Sequence, residues 1–91
     1  MSGQICVKAV ARGRVQGVWY RASAKHEAEK LGITGHAHNK PDGSVEVVAC
    51  GEVEQVEKLL AWMEEGPELA DVTSVEATDM AYKEFVAFTT G

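Results

Sequence analysis

At 91 residues and 9.8 kDa the chain has room for one compact domain, expected to span residues 1–91, and buries only about two-thirds of its unfolded surface. Hydrophobic residues at 45% and charged residues at 25% are ordinary globular usage and exclude a disordered chain. Nine Lys and Arg against fourteen Asp and Glu leave a net charge of -5 and a pI near 5.1, the wrong sign for a nonspecific nucleic-acid binder or for a surface that holds anionic lipid.

Any anion site must therefore be local. No apolar run approaches the roughly 20 residues needed to span a bilayer, and Met1 to Val10 lacks the basic start and long apolar centre of a secretion leader. A cytoplasmic protein with no membrane partner is expected. Cys6 and Cys50 are too few for a disulfide-built scaffold or for a zinc site with cysteine ligands alone.

In chain order, Ile5 to Val10 is rich in β-branched residues and reads as a largely buried strand. It runs into the glycine-bearing loop Gly13-Arg14-Val15-Gln16-Gly17. From Trp19 to Leu31 the residues Tyr20, Ala24, Ala28 and Leu31 recur at helical spacing, with Gly32 as a stop. Ile33 to Asn39 is a short strand, and Lys40-Pro41-Asp42-Gly43 favours a reversal into a return strand from Ser44 to Cys50. Val53, Val56, Leu59, Leu60 and Met63 mark a second helix ended by Gly66-Pro67, with Val53, Val56, Leu60 and Met63 expected on the sheet. Val72 to Thr78 and Glu84 to Thr89 read as two late strands.

This order predicts an α+β, ferredoxin-like split βαβ sandwich. It has the βαββαβ order plus a short terminal strand, with two helices on one face of an antiparallel sheet. The first and third strands become central neighbours, which brings Cys6 near Cys50. A disulfide between them stays open, and a cytosolic setting favours the reduced pair.

Two stretches can carry chemistry. In the first, Gly13-Arg14-Val15-Gln16-Gly17-Val18-Trp19-Tyr20-Arg21, loop N–H groups and a helix N-terminus can converge on an anion, and Arg21 adds a guanidinium fork. No Gly-Lys-Ser/Thr follows, so a nucleoside triphosphate loop is not indicated. In the second, Gly35 to Gly51, Asn39 can orient a water or an oxyanion because its amide both donates and accepts.

Together the two stretches resemble the acylphosphatase family. Gly13 to Arg21 agree with its pattern Gly-x-Val-Gln-Gly-Val-x-aromatic-Arg, and Gly35, Ala37, Asn39, Gly43, Val45 and Gly51 agree with its second motif. His36 stands where an aromatic ring is usual and His38 where Lys or Arg is frequent. The resemblance implies hydrolysis of the carboxyl-phosphate bond of a small-molecule acyl phosphate to a carboxylate and inorganic phosphate, with no cofactor, no metal and no covalent intermediate. It further implies that Gly13, Arg14, Val15, Gln16, Gly17, Val18 and Trp19 cradle the phosphate beside Arg21 while Asn39 positions the water.

Rival readings are weaker. Cys6 and Arg12 have the spacing of cysteine phosphatases, but the five residues between them read as strand and separate them by about 20 Å. His36 and His38, with His26 and a carboxylate such as Asp42 or Glu46, have nothing that forces them to converge on a metal. An RNA-binding sheet needs aromatics on its central strands, and Ile5 to Val10 and Val45 to Cys50 have none. An anion-sensing domain would use the same loop without needing Asn39. A monomer is expected.

Overall fold

A computed structural model describes residues 3–91. Its elements are β1 (Gln4–Arg14), α1 (Tyr20–Lys30), β2 (Thr34–Asn39), β3 (Val45–Glu52), α2 (Val53–Glu65), β4 (Asp71–Met80) and β5 (Phe88–Thr90). They build one sheet in the order β4-β1-β3-β2-β5 with two helices packed on it, a ferredoxin-like α+β arrangement.

Alternation along β1 and β3 sets the layers. Val7, Ala9 and Ala11 point to the same side as Val45, Val47 and Ala49, and all are buried. The helices cover that side. Val56, Leu59 and Met63 of α2 are fully buried and meet Tyr20 and Ala28 of α1 in the same core. Leu59 is thus the deep residue where Leu60 was expected, and Val53 sits at the half-exposed start of α2. A helix advances 100° per residue, so of two adjacent leucines only one can face the sheet squarely.

Both helices end as the sequence implies. At the end of α1, Ile33 N–H donates to Ala28 O at 2.8 Å and Gly32 N–H to Glu29 O at 3.2 Å, the paired bonds of a Schellman motif. At the end of α2, Gly66 N–H donates to Trp62 O and the buried Tyr20 hydroxyl donates to Met63 O, both at 2.7–2.8 Å. Two orphan carbonyls of α2 are satisfied there, one of them from the other helix.

Three expectations are corrected. β1 continues through Gly13 and Arg14, which pair with Val72 and Asp71 of β4 after a register shift at Arg12/Gly13, so these two residues belong to a strand rather than to the loop. Glu84 to Ala87 are not strand. β4 and β5 lie at opposite edges of the sheet, about 19 Å apart. The chain therefore crosses the helix-free face, where Phe85 packs on Cys6, Val48 and Cys50. Only Phe88–Thr90 reaches β2, and it pairs parallel to it, so four strands are antiparallel neighbours and the fifth makes the sheet mixed.

Cys6 and Cys50 are directly opposed across β1 and β3 with Cα atoms 4.1 Å apart, and their sulfurs are joined as a disulfide rather than held as the reduced pair that a cytosolic setting favours, because the antiparallel register sets them face to face. On the same face His36 and His38 stack with centroids 4.1 Å apart, and His36 lies 3.8 Å from Glu46. Among the described residues, no helix is long and apolar enough to cross a membrane.

Candidate active site

Where β1 gives way to α1, the chain turns through residues 15–19 and opens a cavity of about 310 Å³. Its wall includes Val15, Gly17, Trp19 and Arg21 from the first motif, Asn39 from the end of β2, and Thr90 from β5. Residues 18 positions apart in sequence thus face one space. The sheet does this, because α1 begins over the same strand ends at which β2 terminates and beside which β5 is laid.

The conformation of this turn is specific. Gly17 has φ 75°, and Trp19, the residue that caps α1, has φ 67° and ψ 19°. Trp19 is the only non-glycine among the described residues with positive φ. α1 has no side-chain N-cap and no acidic residue in its first turn, so its first N–H groups lack intrahelical partners and the helix dipole is not neutralised locally. Arg21, in that first turn, is half-buried and donates from Nη1 to the Gly91 carbonyl oxygen. That bond uses one of five guanidinium N–H groups, and among the described residues the other donors have no partner, which leaves them able to serve an anion.

The other expected residues take different places. Gln16 turns its side chain to the β2–β3 turn, where Nε2 donates to Lys40 O at 2.8 Å and to Ser44 O at 2.9 Å. It ties the phosphate-loop candidate to the strand end that carries Asn39. Val18 is buried in the core. Gly13 and Arg14 lie outside the cavity, and a Cβ on Gly13 would stand 2.3 Å from Asp71 O, so glycine is required there by the close approach of β4. The turn after Asn39 is itself ordered: Asp42 accepts from Ser44 N–H at 2.9 Å and from Arg12 at 3.0 Å, and these bonds, that from the Ser44 hydroxyl foremost, pull its carboxyl down to about 2.

Thr90 and the Gly91 carbonyl were missed by sequence reasoning. Nothing local marks them, since they reach the site only through the parallel pairing of β5 on β2. His36, His38 and His26 do not gather: the first two stack on the helix-free face while His26 stands on α1.

The model of the family described as Acylphosphatase matches residues 7–90. The chain belongs to the acylphosphatase family. A curated acylphosphatase of Methylococcus capsulatus is 53% identical over 83 residues, covering 90% of each chain. Among solved acylphosphatase structures, that from Coxiella burnetii superposes with a TM-score of 0.93 at 35% identity, covering 97% of this chain and 93% of its own. That from Bacillus subtilis gives 0.92 at 26% identity over 96% and 98%. The family match over residues 7–90 thus takes in both motifs and every element described above except the first three residues of β1.

Proposed function

We propose that this chain hydrolyses the carboxyl-phosphate bond of acyl phosphates, and that Arg21 and Asn39 carry the reaction without a cofactor. The observation that carries the reading is the meeting of these two side chains in one cavity with the uncapped start of α1, in a chain of the acylphosphatase family.

In this mechanism the backbone N–H groups of residues 15–19 and the Arg21 guanidinium hold the phosphate oxygens, whose charge grows in the transition state. The Asn39 amide accepts a hydrogen bond from a water and aims its oxygen at phosphorus. The new O–P bond forms as the P–O bond to the acyl carbon breaks, and the electron pair leaves on the carboxylate. One water proton passes to a phosphate oxygen and the other stays on the oxygen now bound to phosphorus. A carboxylate is a weak base, so the leaving group needs no proton. Positioning and charge stabilisation then suffice.

The same reading takes the chain as a single domain, monomeric and cytoplasmic, with the small-molecule substrate and inorganic phosphate as its ligands. The net charge of -5 disfavours nucleic acid or anionic lipid as a partner.

The test is turnover of an aryl acyl phosphate in the presence of a chelator. Asn39→Ala is expected to lower kcat about 10²- to 10³-fold with phosphate inhibition nearly unchanged, a cost of the size seen when one preorganised active-site hydrogen bond is lost. Arg21→Ala is expected to lose both rate and phosphate affinity. Full activity in Asn39→Ala would remove its water-positioning role, and a wild type that binds phosphate but turns nothing over would be an anion-binding domain.

A further inference from the structure

A second concavity, about 390 Å³, lies between α1 and α2 and adjoins the first, Trp19 and Ala22 lining both. Its other walls include Ser23, His26 and Glu27 on α1 and Trp62 and Pro67 at the end of α2.

Two features of the Trp19 side chain's placement go beyond its backbone role in starting α1. Its side chain is 74% exposed, and its backbone is held in the left-handed region that large side chains avoid. Strain of this kind persists only where surrounding structure imposes it, and it stands an aromatic face at the rim between the two concavities. Trp62 supplies the facing surface. It is half-buried against Tyr20, with ring centroids 5.5 Å apart, and Tyr20 is in turn pinned by its hydroxyl bond to Met63 O. The Trp62 ring is therefore held in place rather than loose. Both tryptophans of the chain line this groove.

The charge pattern narrows the occupant. Glu27 is the carboxylate on the wall, paired with Lys30 at 3.2 Å, and no Lys or Arg lines the groove. An acyl chain with its own carboxylate would meet the Glu27 carboxylate there, with the His26 imidazole as the one wall group able to carry a positive charge. A flat apolar ring would meet two indole faces and a proline.

We propose that this groove is the acyl subsite, and that Trp19 and Trp62 select acyl phosphates whose acyl group is an uncharged aromatic ring. The inference rests on the acyl phosphate hydrolysis proposed above: with phosphate in the cavity, the acyl carbon is one oxygen away from phosphorus, and its substituent leaves across the shared wall at Trp19 and Ala22. Trp62, remote from the phosphate, then acts on affinity for the acyl group.

The experiment compares kcat/KM for benzoyl phosphate and acetyl phosphate in the wild type, in Trp62→Ala and in Ser23→Phe, which fills the groove from α1. Both variants are expected to lower kcat/KM for benzoyl phosphate roughly tenfold, mainly through KM, and to leave acetyl phosphate within twofold. A benzoylphosphonate titration of the wild type should change tryptophan emission at saturation more than acetylphosphonate does. If Trp62→Ala does not fold, Ser23→Phe and the titration still decide. Hydrolysis of both compounds with an unchanged ratio in the variants, or an equal loss on both, overturns the acyl subsite alone. Hydrolysis of neither compound by the wild type overturns the proposed function, and the subsite with it.

Discussion

Gln16 illustrates how one side chain couples two motifs that sequence reading treats separately. Its amide bonds two carbonyls of the β2–β3 turn, so the loop of residues 15–19 and the strand end at Asn39 are held at a fixed separation. Gln16→Ala is expected to cost about 1–2 kcal/mol in chemical denaturation and to lower kcat more than it raises KM. An unchanged kcat in a folded variant would mean the loop is positioned by something else. At His36 the consequence is one of pH. Burial foremost, with the neighbouring His38, lowers its pKa below 6.5 against the opposing pull of Glu46, so the folded chain holds this imidazole neutral more firmly than the unfolded chain does. The unfolded state then binds more protons, and stability falls as pH drops below about 6.5. The urea midpoint should decline between pH 7 and pH 5, and decline less in His36→Phe. Asp42 acts in a separate window, since its lowered carboxyl withdraws stability only as pH falls from 3.8 toward 2.

Between elements, the decisive contact is Tyr20 on α2. A tyrosine at the first position of α1 reads from sequence as one apolar residue of a helical stripe, yet its hydroxyl caps a carbonyl in the last turn of the other helix. Burial pushes its pKa well above the usual phenol range, so it remains a donor. Tyr20→Phe leaves Met63 O without that partner in the core, and a loss of about 1–3 kcal/mol is expected from thermal or urea unfolding. No loss would mean that water replaces the hydroxyl. Gly35 in β2 is a second such case: a Cβ there would stand 1.8 Å from Val48 O, so Gly35→Ala should separate β2 from β3 or fail to fold, as read by amide exchange in the strand that ends at Asn39. The helix stripes, the Pro-Asp-Gly reversal and four of the strands were legible because each depends on local periodicity or turn chemistry. The innermost leucine of α2 was not, because which of Leu59 and Leu60 faces the sheet depends on how the helix is rolled upon it.

Over the whole molecule, the disulfide joins the two central strands and closes a loop with a sequence separation of 44. In the chain-entropy account such a loop contributes about 4 kcal/mol by restricting the unfolded state. Reduction should lower the denaturation midpoint accordingly and add two alkylatable thiols by mass, and an unreduced sample that alkylates fully would show that the bond does not form. Sequence spacing brought Cys6 near Cys50 through the strand order but left the bond open, since a register slip of one residue would have put the sulfurs on opposite faces. The same distinction holds for the site. Gly13 to Arg21 and the Asn39 segment name the family and the two chemical groups by themselves, because motif residues sit at fixed chain spacings that one sequence displays. Only the tertiary structure decided that Gly13 and Arg14 are strand, that Gln16 is a clamp and that Thr90 and the Gly91 carbonyl join Arg21. The physical reason is that these assignments depend on which strand edge remains unpaired: β4 takes one edge of β1, so the last residues must cross the open face and pair parallel with β2, an outcome of long-range sheet closure that no local pattern encodes.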